Sequence, residues 1–486
     1  MHSYFFYQYG EREPEESNFE KDGLAWYAGD SGISIELLPD GRLVLQRTAL
    51  LRNPLFYYSS EIFFAASTSW LELVQELGRR GIALLPDTFY LREYLARQCP
   101  FTRHTFCAGI FSLRNGETVV LEKGRYCSSS LETPALLDGE CSLVPRLRSS
   151  LAYQLADIPL DRSCFHLSAG LDSSALVLLA SQLHQSTVRT ATCSLRGEGP
   201  GSEIEVVRKL ENEFDLDLEV FDFHDADVFA VGRSLISEGI GFPIAHPSHL
   251  VRFMMDRDIS RRGSSLIITG QGADEVLGGY GWYGEEYSDP ARHEERIRVT
   301  APEMIDRILG PVPPRGVDHH APADSLHVLS MKARIQYDLW TVWEAWAYID
   351  SSFSECFGVS YLNPFADSNL MASLLALPDE YRIRDGETKW LLREALKDIY
   401  PEYLLEQPKR GLRLDLKPYF LDFTCRDLTG EIFDSSAFSQ QYLNCRECER
   451  MVRQTLDGKK NYGWQLWSLF LCGQAFELLK KNGLGQ

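Results

Sequence analysis

Two short segments of the chain carry the residue types that bind a phosphorylated ligand. In the first, residues 168–174 (SAGLDSS) follow the strand-like residues 164–167 and precede a stretch with helical periodicity. A turn between a strand and a helix directs backbone N–H groups and the positive end of the helix at an anion. Gly170 lets the backbone approach closely, and Asp172 offers an oxygen ligand suited to Mg²⁺. We therefore expect pyrophosphate to be held by Ser168, Ala169, Gly170, Leu171, Asp172, Ser173 and Ser174.

The second segment, residues 266–280 (LIITGQGADEVLGGY), also runs from β-type residues into glycines and acids. Its glycines would open the end of a parallel strand, where Asp274 presents a second carboxylate. Ligands of open α/β sheets bind at the carboxyl ends of the strands. The two segments therefore predict one shared site, with a metal ion between Asp172 and Asp274. Glu275 is expected to be a helix-start residue that faces water.

The elements that must position these segments alternate between strand and helix. Strands are predicted at residues 165–167, 190–195, 218–221 and 266–269, with helical stretches such as residues 203–214 between them. This alternation predicts an α/β fold with a doubly wound parallel sheet over residues 144–486, including a helical C-terminal part.

The first third of the chain has a different pattern. Residues 1–130 predict a β-rich α+β domain, and residues 131–143 are expected to form a linker. Strand pairs are predicted at 33–37 with 43–46 and at 55–58 with 62–66, and helices at 69–77 and 88–98. Further along, residues 283–327 are rich in charge and proline and are expected to be a partly mobile insertion. The aromatic residues within 331–353 are expected to be core.

Composition excludes several classes of protein. The chain has 486 residues and a formal net charge of −20, which makes nucleic acid an improbable partner because phosphate contacts need basic patches. Eleven cysteines without framework spacing indicate reduced thiols and a cytoplasmic location. Neither a signal peptide nor an apolar run long enough to span a membrane is evident.

Taken in order, the motifs resemble the asparagine synthetase superfamily of ATP-pyrophosphatases. The two segments above look like its pyrophosphate loop and its G-[EQ]-G-A-D-E-x-x-G-G-Y signature. Further matches are residues 247–251 (PSHLV), 363–367 (NPFAD), 388–395 (TKWLLREA) and 408–411 (PKRG). The resemblance is strong over about residues 145–415 and weak before them.

The resemblance implies ATP and Mg²⁺ as cofactors and assigns roles to individual residues. Asp172 and Asp274 would hold Mg²⁺, and the nucleotide would contact the second segment. Lys389 and Lys409 would face the phosphates, with Lys409 stabilising both adenylation and amide formation. Arg393 is expected to support Lys389 or a helix face and not to touch the substrate. The adenosine and α-phosphate pocket would be lined by Leu167, Cys193, Thr269 and Gly270. Gln271 and Gly272 would also contact the bound nucleotide.

Two departures from the family pattern bear on the reaction. Glutamine-dependent members need a cysteine at the mature N-terminus, and His2 stands there, so the chain is not expected to make its own ammonia. The first domain resembles the C-terminal part of a glutaminase domain and is interpreted as degenerate, serving packing or substrate docking. Where asparagine synthetases carry Glu-x-Arg-x-Pro-Phe, this chain has Ser360 and Leu362 in place of the Glu and Arg.

These departures favour the branches whose substrate already carries the amine. A lasso peptide macrolactam cyclase is the leading prediction, with a precursor (core) peptide as substrate and a leader-binding protein and leader protease as partners. The alternatives are a β-lactam-synthetase-like or other small-molecule amide ligase, an ammonia-dependent asparagine synthetase, and a catalytically silent nucleotide-binding subunit. Candidates for deprotonating the amine are Tyr337, Glu344 and Tyr348, each also compatible with a core or surface position.

Overall fold

A five-stranded parallel sheet positions both candidate segments. The computed structural model describes residues 3–9, 15–17, 20–22, 25–27, 32–48, 53–98, 102–131, 143–196, 203–244, 246–283, 298–310, 331–407, 414–433 and 437–482. All pairings in this sheet are parallel. In spatial order its strands are Asp217–Asp222, Arg189–Ser194, Ser163–His166, Leu266–Ile268 and Ser360–Leu362.

Successive residues of the central strands enter different cores. Cys164 and Ile267 belong to one core, whereas Phe165 and Ile268 belong to another on the opposite face. This alternation follows from strand geometry, because adjacent side chains point to opposite faces of a sheet. Both faces are therefore covered, and the carboxyl ends of the strands remain as the place where loops from several strands meet.

The N-terminal part contains two antiparallel sheets packed face to face. The order of the first is Glu15–Ser17, Tyr4–Gln8, Phe63–Ser67, Leu55–Ser59 and Ile110–Leu113. The order of the second is Arg125–Leu131, Glu117–Glu122, Leu43–Arg47, Ile33–Leu37, Ala25–Tyr27 and Glu20–Asp22. Their shared core includes Phe5, Trp26, Leu45 and Phe64. A short antiparallel pair, Ile383–Arg384 with Glu387–Thr388, lies later in the chain.

Helices cover the sheets and build the C-terminal part. None of those in the described ranges is long and apolar enough to cross a membrane. The α-helices are Trp70–Arg79, Thr88–Arg97, Leu143–Ala156, Leu171–His184, Glu203–Phe214, Val228–Ser234, Pro247–Arg261, Ala273–Leu277, Pro302–Leu309, Met331–Trp340, Val342–Phe357, Ser368–Leu375, Trp390–Ala395, Glu402–Leu405, Lys417–Phe420, Cys425–Phe433, Ala437–Tyr442, Cys445–Leu456 and Gly463–Lys481.

The N-terminal part and the parallel-sheet part share one core. The Phe242 ring lies 4.8 Å from Trp70, 6.0 Å from Phe56 and 6.0 Å from Tyr90 between centroids, and it lies 5.2 Å from Tyr348 of the later part. Offset and edge-on contacts of this kind add to the free energy gained by burying the rings. The two parts are thus joined by aromatic packing.

A buried ion pair crosses the same interface. Arg47 Nη1 lies 2.7 Å from Glu344 Oε2, and the Arg47 side chain is fully buried. The other carboxylate oxygen, Glu344 Oε1, accepts the Asn115 backbone N–H at 2.6 Å. Arg47 also donates to the Leu113 carbonyl oxygen at 3.0 Å. Glu344 therefore ties the helix Val342–Phe357 to the second N-terminal sheet.

Replacing Arg47 by methionine is expected to lower the free energy of unfolding by about 2–4 kcal/mol, because it leaves a largely buried carboxylate without its cation. Urea denaturation followed by tryptophan fluorescence measures the change. Arg42→Met is the matched control: Arg42 pairs with Asp40 at the surface, where an ion pair contributes little, so its midpoint should not move. Equal midpoints for the two variants would contradict a stabilising role for Arg47.

The fold class predicted from the sequence is confirmed, and the predicted strands agree with the structure to within about two residues at each end. The fifth parallel strand, Ser360–Leu362, was not predicted, because three residues are too few for a periodic pattern. The predicted linker falls almost entirely on residues 132–142, outside the described residues, so the domain division stays a prediction. His2 also lies outside them.

The expectation of a partly mobile insertion at 283–327 is incomplete. Residues 302–309 form the helix Pro302–Leu309, which buries Ile305 and Ile308. The Val299 backbone N–H donates to the Ala96 carbonyl oxygen at 2.7 Å, so this segment is docked on the helix Thr88–Arg97. Residues 284–297 and 311–330 lie outside the described residues.

Candidate active site

The serine loop, residues 167–170, joins the strand Ser163–His166 to the helix Leu171–His184. Ser168 and Ser173 hold it against the first turn of that helix: their Oγ atoms lie 2.9 Å apart, and the Ser168 N–H donates to Ser173 Oγ at 3.0 Å. Ser168 Oγ also accepts the Gly170 N–H at 3.1 Å. These bonds place small hydroxyl groups beside a helix N-terminus, which is a favourable environment for phosphate.

The glycine loop, residues 269–279, follows the neighbouring strand Leu266–Ile268. Gly272 and Gly278 have φ values of +90° and +71°, in the left-handed region that glycine adopts without strain. Between them lies the short helix Ala273–Leu277, with Asp274 in its first turn. The Thr269 N–H donates to the Leu362 carbonyl oxygen at 3.0 Å, which fixes the start of the loop to the edge strand.

The two aspartates meet at one buried lysine. Lys389 Nζ lies 2.5 Å from Asp274 Oδ1 and forms a second ion pair with Asp172 Oδ2. The lysine side chain is 4% exposed, and the two aspartates are 17% and 13% exposed. Lys389 also has a φ of +56°, a left-handed conformation that is uncommon outside glycine and is found at functional sites. Two strand ends far apart in sequence thus bring their carboxylates to one point.

Glycines make this meeting possible. A Cβ atom at Gly279 would lie 2.0 Å from Asp274 Oδ1 and 2.1 Å from Lys389 Cε. At Gly270, a Cβ atom would lie 2.8 Å from Asp172 Cβ. Any side chain at either position would therefore push the charged groups apart.

The donor set fits Mg²⁺. In sites that handle nucleotide phosphates, Mg²⁺ is held by one or two carboxylates together with phosphate oxygens and water. Asp172 and Asp274 supply two carboxylates beside the serine loop, and Lys389 supplies a positive charge between them. With a divalent cation bound, these groups would suit a ligand that brings its own negative charge.

The expectation that Glu275 faces water is wrong. Its side chain is buried, and Oε1 accepts a hydrogen bond from the Tyr280 hydroxyl at 2.8 Å. Burial raises the pKa of Glu275 to about 7, and the negative charge of Asp274 acts in the same direction. The short helix Ala273–Leu277 presents Asp274 to the site, and the next residue, Glu275, points into the protein interior.

Glu275→Gln is expected to stabilise the fold at alkaline pH and leave it unchanged in acid. Because the folded protein binds this proton more tightly than the unfolded chain does, the carboxylate destabilises the fold above about pH 7, by about 2–4 kcal/mol. The cost disappears as the pH falls towards the ordinary carboxyl pKa. Glutamine can still accept the Tyr280 hydroxyl. Thermal unfolding of both proteins between about pH 5 and 8.5 measures the difference, and a pH-independent gap would contradict the assignment.

Other predicted residues lie at different depths. Leu167 is buried, and Cys193 is half-buried at the end of the strand Arg189–Ser194. Thr269 is buried with its hydroxyl bonded inside the protein. Lys409 lies in residues 408–413, outside the described part of the chain, so its approach to the phosphates stays a prediction. The nucleotide-binding roles of these residues stay predictions as well.

Two arginines support the site from behind. Arg393 Nε donates to the carbonyl oxygen of Thr388, the residue before Lys389, at 3.0 Å, consistent with the supporting role expected for it.

A second buried arginine, Arg382, was not singled out from the sequence. It is fully buried and donates to the carbonyl oxygens of Val276 (3.1 Å), Leu374 (2.6 Å) and Leu377 (2.6 Å). It thus caps the C-terminal ends of two helices, one of which carries Asp274. Nothing local in the sequence signals this role.

The candidates for an amine base are engaged elsewhere. Glu344 pairs with Arg47, and the Tyr348 hydroxyl donates to the Ile240 carbonyl oxygen within the interface core. The side chain of Tyr337 lies outside the described set. The two described candidates therefore contribute to packing between the two parts of the molecule.

Comparison with known proteins gives a consistent relationship. Asparagine synthetase [glutamine-hydrolyzing] 1 of Bacillus subtilis (strain 168) is 21% identical over 328 residues, which cover 57% of this chain and 50% of that protein. A putative asparagine synthetase [glutamine-hydrolyzing] of Mycobacterium bovis (strain ATCC BAA-935 / AF2122/97) is 24% identical over 355 residues, covering 63% and 53%. A protein of the same description from Mycobacterium tuberculosis (strain ATCC 25618 / H37Rv) has the same values. The chain spans about half the length of the curated relatives it matches.

The family model described as asparagine synthase matches residues 146–480. The matched region contains the serine loop, the glycine loop and Lys389, which are the parts that form the site. Because it covers more than half of the sequence, the chain belongs to the asparagine synthase family.

Proposed function

We propose that this protein is an ATP-dependent carbon–nitrogen ligase that forms AMP and pyrophosphate. A carboxylate resists attack by an amine because the reaction would have to expel an oxide. Joining it to the α-phosphorus of ATP makes an acyl adenylate, releases pyrophosphate, and leaves AMP as a good leaving group. An amine then attacks the acyl carbon, forming the amide and releasing AMP.

The described residues can serve the first of these steps. The serine hydroxyls and the N-terminus of the helix Leu171–His184 suit the β- and γ-phosphates. In this proposal Lys389 faces the departing pyrophosphate, where a fixed cation would stabilise the transition state more than the ground state. Bound Mg²⁺ would supply further neutralisation as a Lewis acid. Lys409, in this proposal, serves both adenylation and amide formation.

One observation carries the proposal: Asp172, Asp274 and Lys389 converge at the carboxyl ends of two adjacent parallel strands. A structural ion triad of this kind would be an expensive way to stabilise a fold, because three charges are largely removed from water. Its position at the sheet edge where open α/β proteins bind ligands favours a functional explanation.

The finer proposal is a lasso peptide macrolactam cyclase, in which the N-terminal amine of a core peptide attacks its own adenylated Asp or Glu side chain. Its support is the replacement of the family's Glu and Arg by Ser360 and Leu362, which removes charges suited to a small amino-acid substrate. A leader-binding protein and a leader protease would supply the free core peptide. A small-molecule amide ligase is the alternative on the same chemistry.

Asp172→Asn and Asp274→Asn are each expected to reduce pyrophosphate release from MgATP by about 10²–10³-fold, because each removes charge from the triad. Release is measured with a coupled pyrophosphate assay in the presence of candidate carboxylic acids. Asp225→Asn is the control, since that side chain is 99% exposed. Unchanged release in the first two variants would refute the site. No release from the native protein with any acid would favour a silent nucleotide-binding subunit.

The substrate branch is tested with synthetic core peptides. Incubation with MgATP should yield a product lighter by one water, detected by mass spectrometry, and fragmentation should show an isopeptide ring. A peptide whose ring-forming Asp or Glu, the acyl donor, is replaced by Asn or Gln should give no such product. Pyrophosphate release with small acids but none with peptides would reject the cyclase and retain the ligase.

A further inference from the structure

A buried polar network lies directly behind the two loops. Arg252, in the helix Pro247–Arg261, is 4% exposed and forms ion pairs with Asp350 (2.8 Å) and Asp256 (3.2 Å). Asp350 comes from the helix Val342–Phe357 and is also buried. Charged groups so far from water are costly unless they are paired, and each of these three takes part in an ion pair.

On one side the network holds the glycine loop. Asp350 Oδ2 accepts a hydrogen bond from Asn363 Nδ2 at 2.7 Å, and Asn363 Oδ1 accepts one from the Thr269 hydroxyl at 2.6 Å. The same hydroxyl accepts the Gln271 backbone N–H at 3.3 Å. With its amide oriented to satisfy both partners, Gln271 also donates to Asp350 and accepts from Arg252, each at 3.3 Å.

On the other side it reaches the serine loop. Asp256 accepts a hydrogen bond from the Tyr361 hydroxyl at 2.7 Å, and its other oxygen lies 2.7 Å from His166 Nε2. His166 ends the strand that leads into the serine loop. Burial acts to raise the pKa of Asp256, but His166 and Arg252 hold it below its usual value, so the group is a carboxylate. The ion pairs and hydrogen bonds of this network therefore connect the ends of three strands, Ser163–His166, Leu266–Ile268 and Ser360–Leu362.

We propose that Asp350, held by Arg252, is a positioning residue that fixes the glycine loop, and so Asp274, relative to the serine loop and Asp172. It acts through Asn363, Thr269 and Gln271 and does not touch the reacting atoms. The proposal rests on the proposed function for its consequence in catalysis, but not for its structural content. Misplacing a reacting group by about 1 Å can cost about 10²-fold in rate, so a rigid connection between the loops matters.

The chain offers an internal test, because Asp350 and Asn363 are an acid and an amide bonded to each other. Asp350→Asn and Asn363→Asp each upset the match of donors and acceptors or the balance of charge. The double variant exchanges the two groups: an amide at position 350 can accept from Arg252 and donate to a carboxylate at 363, which still accepts from Thr269. Such a cycle isolates the coupling between two contacting residues.

Amide hydrogen exchange of the ATP-free protein, read by mass spectrometry, gives a measurement that does not need turnover. In each single variant we expect residues 269–274 to exchange about tenfold faster or more, whereas residues 190–192 of the strand Arg189–Ser194, which is not adjacent to Leu266–Ile268, keep their rate. Pyrophosphate release from MgATP should fall about 10–100-fold in parallel. The double variant should recover most of both losses, and Asp225→Asn should change neither.

Native exchange rates in both single variants, or a double variant no better than the singles, would overturn the positioning role. If Asp350→Asn does not fold, Thr269→Val removes only the hydroxyl that joins Asn363 to the loop, and it should give the same local increase in exchange. Faster loop exchange in a protein that never releases pyrophosphate would retain the positioning role and reject the ligase.

Discussion

Lys389→Met is expected to slow turnover by about 10²–10³-fold and to destabilise the protein when no nucleotide is present. The methionine removes the cation that Asp172 and Asp274 share, leaving two largely buried carboxylates facing each other. Breaking a buried ion pair in this way costs about 3–5 kcal/mol. In the proposed function Lys389 faces the departing phosphates, so its loss should reduce pyrophosphate release by about 10²–10³-fold. Steady-state release and thermal unfolding measure the two effects.

Lys397→Met is the control for this prediction. Lys397 lies eight residues further along, is 66% exposed, and pairs with Glu394 at the surface, so its loss should affect neither measurement. A Lys389→Met protein with native turnover would show that the lysine is structural. Lys389→Arg should restore part of the stability but not the rate, because the larger guanidinium cannot occupy the space bounded by Gly279.

Arg382→Met is expected to be the most damaging substitution for stability, at about 4–6 kcal/mol. The guanidinium donates to carbonyl oxygens at two helix ends and to Asp379, and methionine removes all of these hydrogen bonds at once. The helix that carries Asp274 should loosen with it. Chemical denaturation measures the loss, and the yield of folded protein gives an independent reading.

Arg146→Met is the matched control, since Arg146 is exposed on the helix Leu143–Ala156 and its replacement should be neutral. Arg382→Lys should recover little, because an ammonium group cannot reach several separate carbonyl oxygens in the geometry of a planar guanidinium. A native denaturation midpoint for Arg382→Met would show that water replaces the arginine without cost.

Much of the fold follows from periodicity. The strands Ser163–His166 and Leu266–Ile268 are short apolar runs followed by glycine, and both were predicted because such runs are typical of buried parallel strands. The meeting of Asp172 and Asp274 follows from topology, since parallel strands end at the same edge. Local pattern and general sheet geometry were enough to place these two residues.

The remainder depends on tertiary packing. Glu275 stands at a helix start, where an acid ordinarily faces water. This helix has only five residues and lies between two glycines in the left-handed conformation, and the Glu275 side chain is buried. Arg382 and Arg252 carry no local signal, because their partners are carbonyl groups and acids distant in sequence.

Aromatic side chains from both parts of the molecule enclose the ring of Phe242. This packing restricts how the domain architecture of such a protein can evolve. A gene that lost the segment encoding Phe56, Trp70 and Tyr90 would leave this ring and Tyr348 facing solvent. Recombination that exchanges one part for that of a distant relative would require compensating replacements on the other side. The two parts are therefore expected to be inherited and modified together.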